Sequence, residues 1–219
     1  MLFDLSHTIA TGMMQVASLT PVEVCQVSFL SQGARTNSQS LRLSGHSGTH
    51  VDAPVHVIDG LASIDSFAPD RFVGPGVVLP LAKGPRESID AADLEAAGSG
   101  LVRAGDMVVL WTGWDGYYGE QAYLDDYPAL TVDAADWLLD HGVRLLGLDL
   151  LSPDLPPVRR APDAGLPVHQ RLLGNDVLIA ENLTGLAPLA GRRVRLSALP
   201  IKVAAGDGAP ARITAELAE

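Results

Sequence analysis

A mixed α/β sheet in a single domain spanning residues 1–219 is what the sequence predicts, on three observations. Strand-like runs alternate with helix-like ones. Two of the strands are apolar throughout instead of on alternate residues, the pattern of strands covered on both faces. And 47% of the 219 residues are hydrophobic, enough for one sizeable core, with no repeat, linker or low-complexity stretch to divide it.

In chain order, Val22–Leu30 and Ser38–Leu43 read as strands leading into a histidine-rich run at 46–56, and Val73–Leu81 as a β-branched strand punctuated by Pro and Gly. Ser88–Ala97 predicts a helix capped by Ser88 or Asp90 and stopped at Gly98. Asp106–Thr112 is the first continuous apolar strand. Thr131–His141 predicts a second helix, with Thr131 as its cap, acids in its first turn and Gly142 closing it. Val143–Asp149 is the second apolar strand. Val168–Leu173 reads as a short helix ending at Gly174-Asn175, and Val177–Ala180 as a strand. Arg193–Val203 and Ala211–Leu217 read as closing strands around a turn at Gly206-Asp207-Gly208.

The chemistry concentrates in His46-Ser47-Gly48-Thr49-His50-Val51-Asp52-Ala53-Pro54-Val55-His56, which holds three of the six histidines and a carboxylate. Imidazole and carboxylate are the usual zinc and manganese ligands. In an extended segment His46, His50 and Asp52 face one way. His50 and Asp52 then lie ~7 Å apart, close enough to share an ion, but His46 and His50 stand ~13 Å apart. A bend is therefore required, and Ser47-Gly48 can supply it. Thr49, Val51 and Pro54 argue against a helix, so the run reads as a kinked strand or strand-like loop ending at Pro54.

His169, near the start of the short helix, and Glu181, at the end of the Val177–Ala180 strand, are further candidates. A buried acid after an apolar strand is costly without a cation, and a metal supplies one. Asp149 ends the strand Val143–Asp149 and Asp154 follows it, at a strand end where α/β sites often form, and turn capping explains each equally well. The aromatic stretch Trp111–Tyr118 could wall a pocket or form a surface or subunit contact. His7 and His141 read as incidental. Ser152 and Cys25 lack the context of a nucleophile, and Cys25 reads as a small buried hydrophobe.

A net charge of −11 argues against nucleic acid, and the short basic cluster Arg192, Arg193, Arg195 does not reverse this. One cysteine excludes an intramolecular disulfide. The first residues lack a basic start and a long apolar run, so neither a signal peptide nor a membrane span is expected and the cytoplasm is the default setting.

HSGTHVDAPVH resembles the His-x-Gly-Thr-His-x-Asp-x-Pro-x-His signature of the cyclase-like metal-dependent hydrolases, whose best-known members are bacterial kynurenine formamidases, with isatin hydrolases as relatives. The resemblance extends through HVIDGLASIDSFAPDRFVGPGVVL, WTGWD, YPALTVDAADWLLDHGVRLLGLD, HQRLLGNDVLIAENL and LPIKVAAGDGAPAR, most of the chain. It implies a swivelling β/β/α-type mixed sheet with flanking helices, in a homodimer or homotetramer. It implies that His46, His50 and Asp52 bind one divalent metal, that Asp52 and Glu181 bridge to a second with His169 as a further ligand, and that His56 is the catalytic acid/base. Zinc is the metal of the formamidases resembled, with manganese in other relatives.

Two departures bear on substrate. The formamidases' Trp-Pro-Gly element is here Gly12-Met13-Met14-Gln15-Val16, and Leu150-Leu151 replaces small or polar residues after Asp149. The expected activity is arylformamidase-type hydrolysis of a small aromatic amide such as N-formylkynurenine. The alternative is lactam or lactone opening of the isatin-hydrolase kind, towards which the altered N-terminal stretch leans slightly. A non-catalytic metal-binding module is the alternative of another class, and His56 beside the ligands speaks against it. A structural zinc site would be expected to be rich in cysteine.

Overall fold

The computed structural model describes residues 1–217. Its elements in chain order are β1 (Leu2–Asp4), β2 (Glu23–Ser28), β3 (Ser38–Arg42), β4 (His50–Asp52), β5 (Val73–Pro80), β6 (Ser88–Ile89) and α1 (Ala91–Gly98). Then come β7 (Met107–Trp111), α2 (Gln121–Asp125), β8 (Ala129–Leu130), α3 (Val132–Asp140), β9 (Leu145–Leu148) and α4 (Pro167–Leu173). The chain closes with β10 (Leu178–Glu181), β11 (Arg193–Ser197), β12 (Gly208–Pro210) and β13 (Thr214–Leu217).

Nine strands form the main sheet in the order β1-β13-β11-β5-β7-β9-β10-β4-β12. The middle four, β5-β7-β9-β10, run parallel, and antiparallel strands flank them on both sides. This is the mixed α/β sheet expected. Alternation decides which face each side chain serves. Val108, Leu110, Leu146, Leu148 and Ile179 pack under the helices, against Leu94 of α1, Leu138 of α3 and Leu172 of α4. Their neighbours Met107, Val109, Leu145, Leu178 and Ala180 turn to the other face, where Val51, Val194, Leu196 and Ala215 close a second core. Both faces of the central strands are covered, which is why those runs are apolar at every position.

Local chemistry sets the helix ends. Asp90 caps α1 in a reciprocal box: its carboxylate accepts from the Asp93 amide at 3.0 Å, and the Asp93 carboxylate accepts from the Asp90 amide at 2.9 Å. Ser88 is not the cap; with Ile89 it forms a two-residue parallel pair with Ala129–Leu130. Thr131 caps α3 as expected.

Three readings are corrected. Arg193–Val203 is not one strand: β11 stops at Ser197, and beyond it Pro200 makes only an isolated bridge to Ala211. Gly206-Asp207-Gly208 is only partly a turn, because Gly208 opens β12, which pairs with β4. Cys25 is exposed, because β2 and β3 form a separate hairpin with its own two-stranded sheet, leaving Cys25 and Val27 facing solvent. Among the described residues no helix is long and apolar enough to cross a membrane.

Candidate metal and active site

The histidine run bends where the spacing demands. Gly48 has φ +64°, a backbone angle that selects glycine. The bend brings the His46 and His50 rings to 5.1 Å between centroids. The run then enters β4, which lies between β10 and β12. Register does the rest: His50 pairs with Glu181 and Asp52 with Ile179. Val51 points into the second core, so His50, Asp52 and Glu181 share the opposite face, the one α4 covers with His169. Past β4, Pro54 starts a single 3₁₀ turn that carries His56.

The six predicted residues therefore converge. His50 Nε2 lies 3.2 Å from Asp52 Oδ1 and 3.4 Å from Glu181 Oε2. His169 Nε2 lies 3.5 Å from Asp52 Oδ2 and 3.2 Å from Glu181 Oε1. His46 Nδ1 is 2.7 Å from Asp52 Oδ1, and the His56 ring stacks obliquely on His46 at 4.1 Å. Ligand atoms gather in two groups, His50–Asp52–Glu181 and His46–Asp52–His56, with Asp52 common to both. Two imidazole nitrogens and the carboxylate oxygens between them suit zinc or manganese. The fit has an independent sign: His50 Nε2, Asp52 Oδ2 and Glu181 Oε1 are buried and lack hydrogen-bond partners, and all three converge on the space a cation would fill.

Electrostatics agree. Burial disfavours a charged His50, yet the Asp52 and Glu181 carboxylates push it up to about 10. Burial alone would raise Asp52, but the surrounding imidazoles of His50, His169 and His46 hold it well below its ordinary value. Carboxylates buried this deeply call for positive charge beside them, which a divalent cation can supply. His56 differs: burial outweighs the nearby carboxylates and keeps it below its ordinary value, a neutral imidazole able to accept a proton.

An outer ring orients these groups. Asp154 holds His169 Nδ1 at 2.6 Å and accepts from the amides of Val168 and His169 at 2.9 and 3.1 Å. The carbonyl of Gly48 accepts from His50 Nδ1 at 2.8 Å, which leaves Nε2 free towards the carboxylates. Asn182 donates to the same carbonyl and accepts from the Tyr123 hydroxyl. Asp154 thus acts on His169, beyond the turn capping the sequence suggests. Asp149 lies outside the cluster; its carboxylate accepts from Thr112, Gly113 and Trp114 and fixes the loop after β7.

Asp207 is the residue sequence reading missed. Its carboxylate lies 2.9 Å from His46 Nε2 and 3.4 Å from His56 Nδ1, so one acid steadies two histidines. The available signal was the pair of glycines around it: Gly208 sits opposite Asp52 across the ladder, where a Cβ would meet His46 at 2.7 Å.

A cavity of about 240 Å³ opens onto His46, His50, His56, His169 and Glu181. Val16, Leu19 and Leu151 line its apolar part, so both departures from the formamidase pattern fall on its wall. The aromatic stretch does not line it: Trp114 is buried in the helix-side core, and Tyr118 stacks on His7 at 3.7 Å and donates to the carbonyl of Met14, bracing the segment that leads to Val16.

The fold and the histidine cluster place the chain in a family of metal-dependent hydrolases. A family model described as "Putative cyclase" matches residues 3–155, and the chain belongs to this Cyclase family. It is 35% identical over 180 residues to a kynurenine formamidase of Salinibacter ruber (strain DSM 13855 / M31), covering 80% of this chain and 78% of that protein. It is 31% identical over 219 residues to a kynurenine formamidase of Bordetella petrii (strain ATCC BAA-461 / DSM 12804 / CCUG 43448), covering 96% and 95%. Among solved structures, isatin hydrolase A from Ralstonia solanacearum matches with a TM-score of 0.86 at 25% identity, covering 98% of this chain and 91% of that one.

Proposed function

We propose that this protein is an arylformamidase-type hydrolase that splits an amide C–N bond in a small aromatic substrate, N-formylkynurenine plus water giving kynurenine plus formate. The observation that carries this is the trio of orphaned buried atoms on His50, Asp52 and Glu181, set beside a neutral His56 at the cavity. The similarity to the two kynurenine formamidases supports the choice of reaction.

His46, His50, Asp52, His169 and Glu181 would hold the metal, zinc first and manganese as the alternative. A divalent cation there supplies a Lewis acid that polarises the acyl carbonyl and makes hydroxide accessible near pH 7. His56, steadied by Asp207, takes a proton from the attacking water and delivers it to the leaving nitrogen. The formyl carbon gains the water oxygen, the C–N bond breaks, the amine leaves neutral, and the formic acid formed releases its proton to become formate. Asp154 keeps the His169 ring fixed throughout. The working form is a homodimer or homotetramer in the cytoplasm.

A lactam or lactone opening of the isatin-hydrolase kind is the second reading, favoured by the apolar wall of Val16, Leu19 and Leu151 and by the likeness to isatin hydrolase A.

Formate release from N-formylkynurenine by zinc- or manganese-loaded protein, with metal content measured on the same sample, is the test. His56→Ala should keep its metal and lose about 10²-fold or more in kcat. Full turnover in that variant would overturn the acid/base role. A loaded wild type that leaves the formamide intact but opens isatin would replace the first reading with the second.

A further inference from the structure

The cavity wall carries a cation with nothing to pair with. Arg160 lines the cavity together with Tyr127 and Ser152, facing the same space as His169 and Glu181. Among the described residues it is the one Lys or Arg on that wall, and no carboxylate lies within salt-bridge reach of it. One guanidinium nitrogen donates to the carbonyl of Leu155 at 2.7 Å, which anchors the head group, while Nε is buried and has no partner. The Tyr127 hydroxyl is likewise buried, makes no hydrogen bond of good geometry, and lies beside Ser152 within the field of Arg160. The acids of the site, by contrast, all have imidazoles: Asp52, Glu181, Asp154 and Asp207 each face at least one histidine.

A half-buried guanidinium with most of its donors unspent, next to an orphaned hydroxyl donor, is a recognition element for a planar anion. Leaving the buried Nε and the buried Tyr127 hydroxyl unpaired is costly, and a bound acceptor removes that cost. We propose that Arg160, with Tyr127 as a second donor, binds a carboxylate that the substrate carries away from its scissile amide. The substrates of this protein are then N-acyl aryl compounds that carry a carboxylate, which supplies their orientation. The inference rests on the amide-hydrolase reading of the neighbouring metal site and narrows its substrate class.

The test separates the two. In metal-loaded protein, calorimetry compares a graded series of arylalkanoates (benzoate, phenylacetate, 3-phenylpropanoate, 4-phenylbutyrate) with their primary amides, and no turnover is needed. At least one carboxylate should bind wild type tenfold or more tightly than its amide. Arg160→Gln should abolish that preference, Arg160→Lys should keep part of it, and Tyr127→Phe should weaken it several-fold. A preference that persists in Arg160→Gln assigns the carboxylate to the metal and overturns the inference, as does a wild type with no preference. Thermal melting of each variant confirms that it is folded, and the lysine variant retains the charge if the glutamine one unfolds. Where turnover is found, the ratio of kcat/KM for N-formylkynurenine to that of its decarboxylated analogue should fall at least tenfold in Arg160→Gln, mainly through KM; an unchanged ratio overturns the inference. A wild type that shows the carboxylate preference without hydrolysing the formamide refutes the substrate reading and leaves the Arg160 subsite standing.

Discussion

Removing the carboxylate of Asp154 should damage stability and metal binding by separable amounts. The helix α4 begins at Pro167 with Leu166 before it, and no side chain at that position caps it. Asp154 performs the task from thirteen residues upstream of Pro167, accepting from the Val168 and His169 amides at 2.9 and 3.1 Å and from His169 Nδ1 at 2.6 Å, all in buried surroundings. Asp154→Ala strands two backbone donors. At about 1–3 kcal/mol for each stranded group, the metal-free protein should lose roughly 2–6 kcal/mol, partly offset where water reaches the amides. Loss of the outer partner of a metal-binding imidazole costs 10–100-fold in affinity, so zinc binding should weaken by about that factor. Asp154→Asn retains one acceptor oxygen, so it should cost about half as much stability. Its amide nitrogen then presents a donor to one of the three donors, and zinc affinity should fall nearly as far as in the alanine variant. Urea unfolding of chelator-treated protein reads the first quantity and competition against a chromophoric chelator reads the second. An alanine variant as stable as wild type, with zinc affinity within threefold, would refute both the remote cap and the orienting role.

Two further perturbations probe other layers. Burial pushes the Asp149 carboxyl from its ordinary 3.8 up to about 6, against its N–H donors. The folded protein therefore holds this proton more tightly than the unfolded chain, and the group contributes stability below about pH 4 that is lost as pH rises through about 6. Relative to Asp149→Asn, which cannot titrate, wild type should gain on the order of 2 kcal/mol as pH falls from 7 to 4; a difference that stays flat across that range refutes the shift. Gly208→Ala would place a methyl group 2.7 Å from His46 Cε1 and 2.9 Å from the carbonyl of Val51. It should cost about 1–3 kcal/mol in overpacking and weaken metal binding at least tenfold by displacing His46, and chelator competition showing unaltered affinity would sink this.

Legibility from sequence followed the reach of each signal. The histidine run was readable because its members are contiguous and share parity, so the strand period and one glycine suffice to predict convergence. β7 and β9 were readable because strands buried on both faces leave unbroken apolar runs. Glu181 and His169 were readable because each stands at the end of an element whose period is clear. Asp207 was not: β12 is three residues long, begins at a glycine and ends at Pro210, and its hydrogen bonds to β4 are set by register across more than 150 residues of chain, so the flanking glycines mark a close approach without saying to what. Arg160 and Tyr127 sit in segments without periodicity, so nothing in their neighbours says which way they face. Cys25 misled for the converse reason: β2 alternates like a half-buried strand, but its hairpin stands apart from the core that would bury it.

The position of the site follows from where the sheet changes direction. The parallel strands β9 and β10 deliver their C-terminal ends, with Asp149 and Glu181, to one edge of the helix-covered face, the place where α/β sheets open a crevice. β4 runs antiparallel to β10, so the start of β4, with His50, meets the end of β10. Acids and imidazoles from segments distant in the chain are thereby packed beside one another in a dry setting, an arrangement that burial penalises unless charge is balanced. Below them, the two apolar cores either side of the central strands contain none of these groups. The fold is anchored elsewhere, and the cluster can keep buried atoms unpaired for a cation because the strands that hold it are fixed by ladders and cores that do not need one. Alternation along β4 makes that separation: all three residues are buried, but Val51 faces the core while His50 and Asp52 face the site.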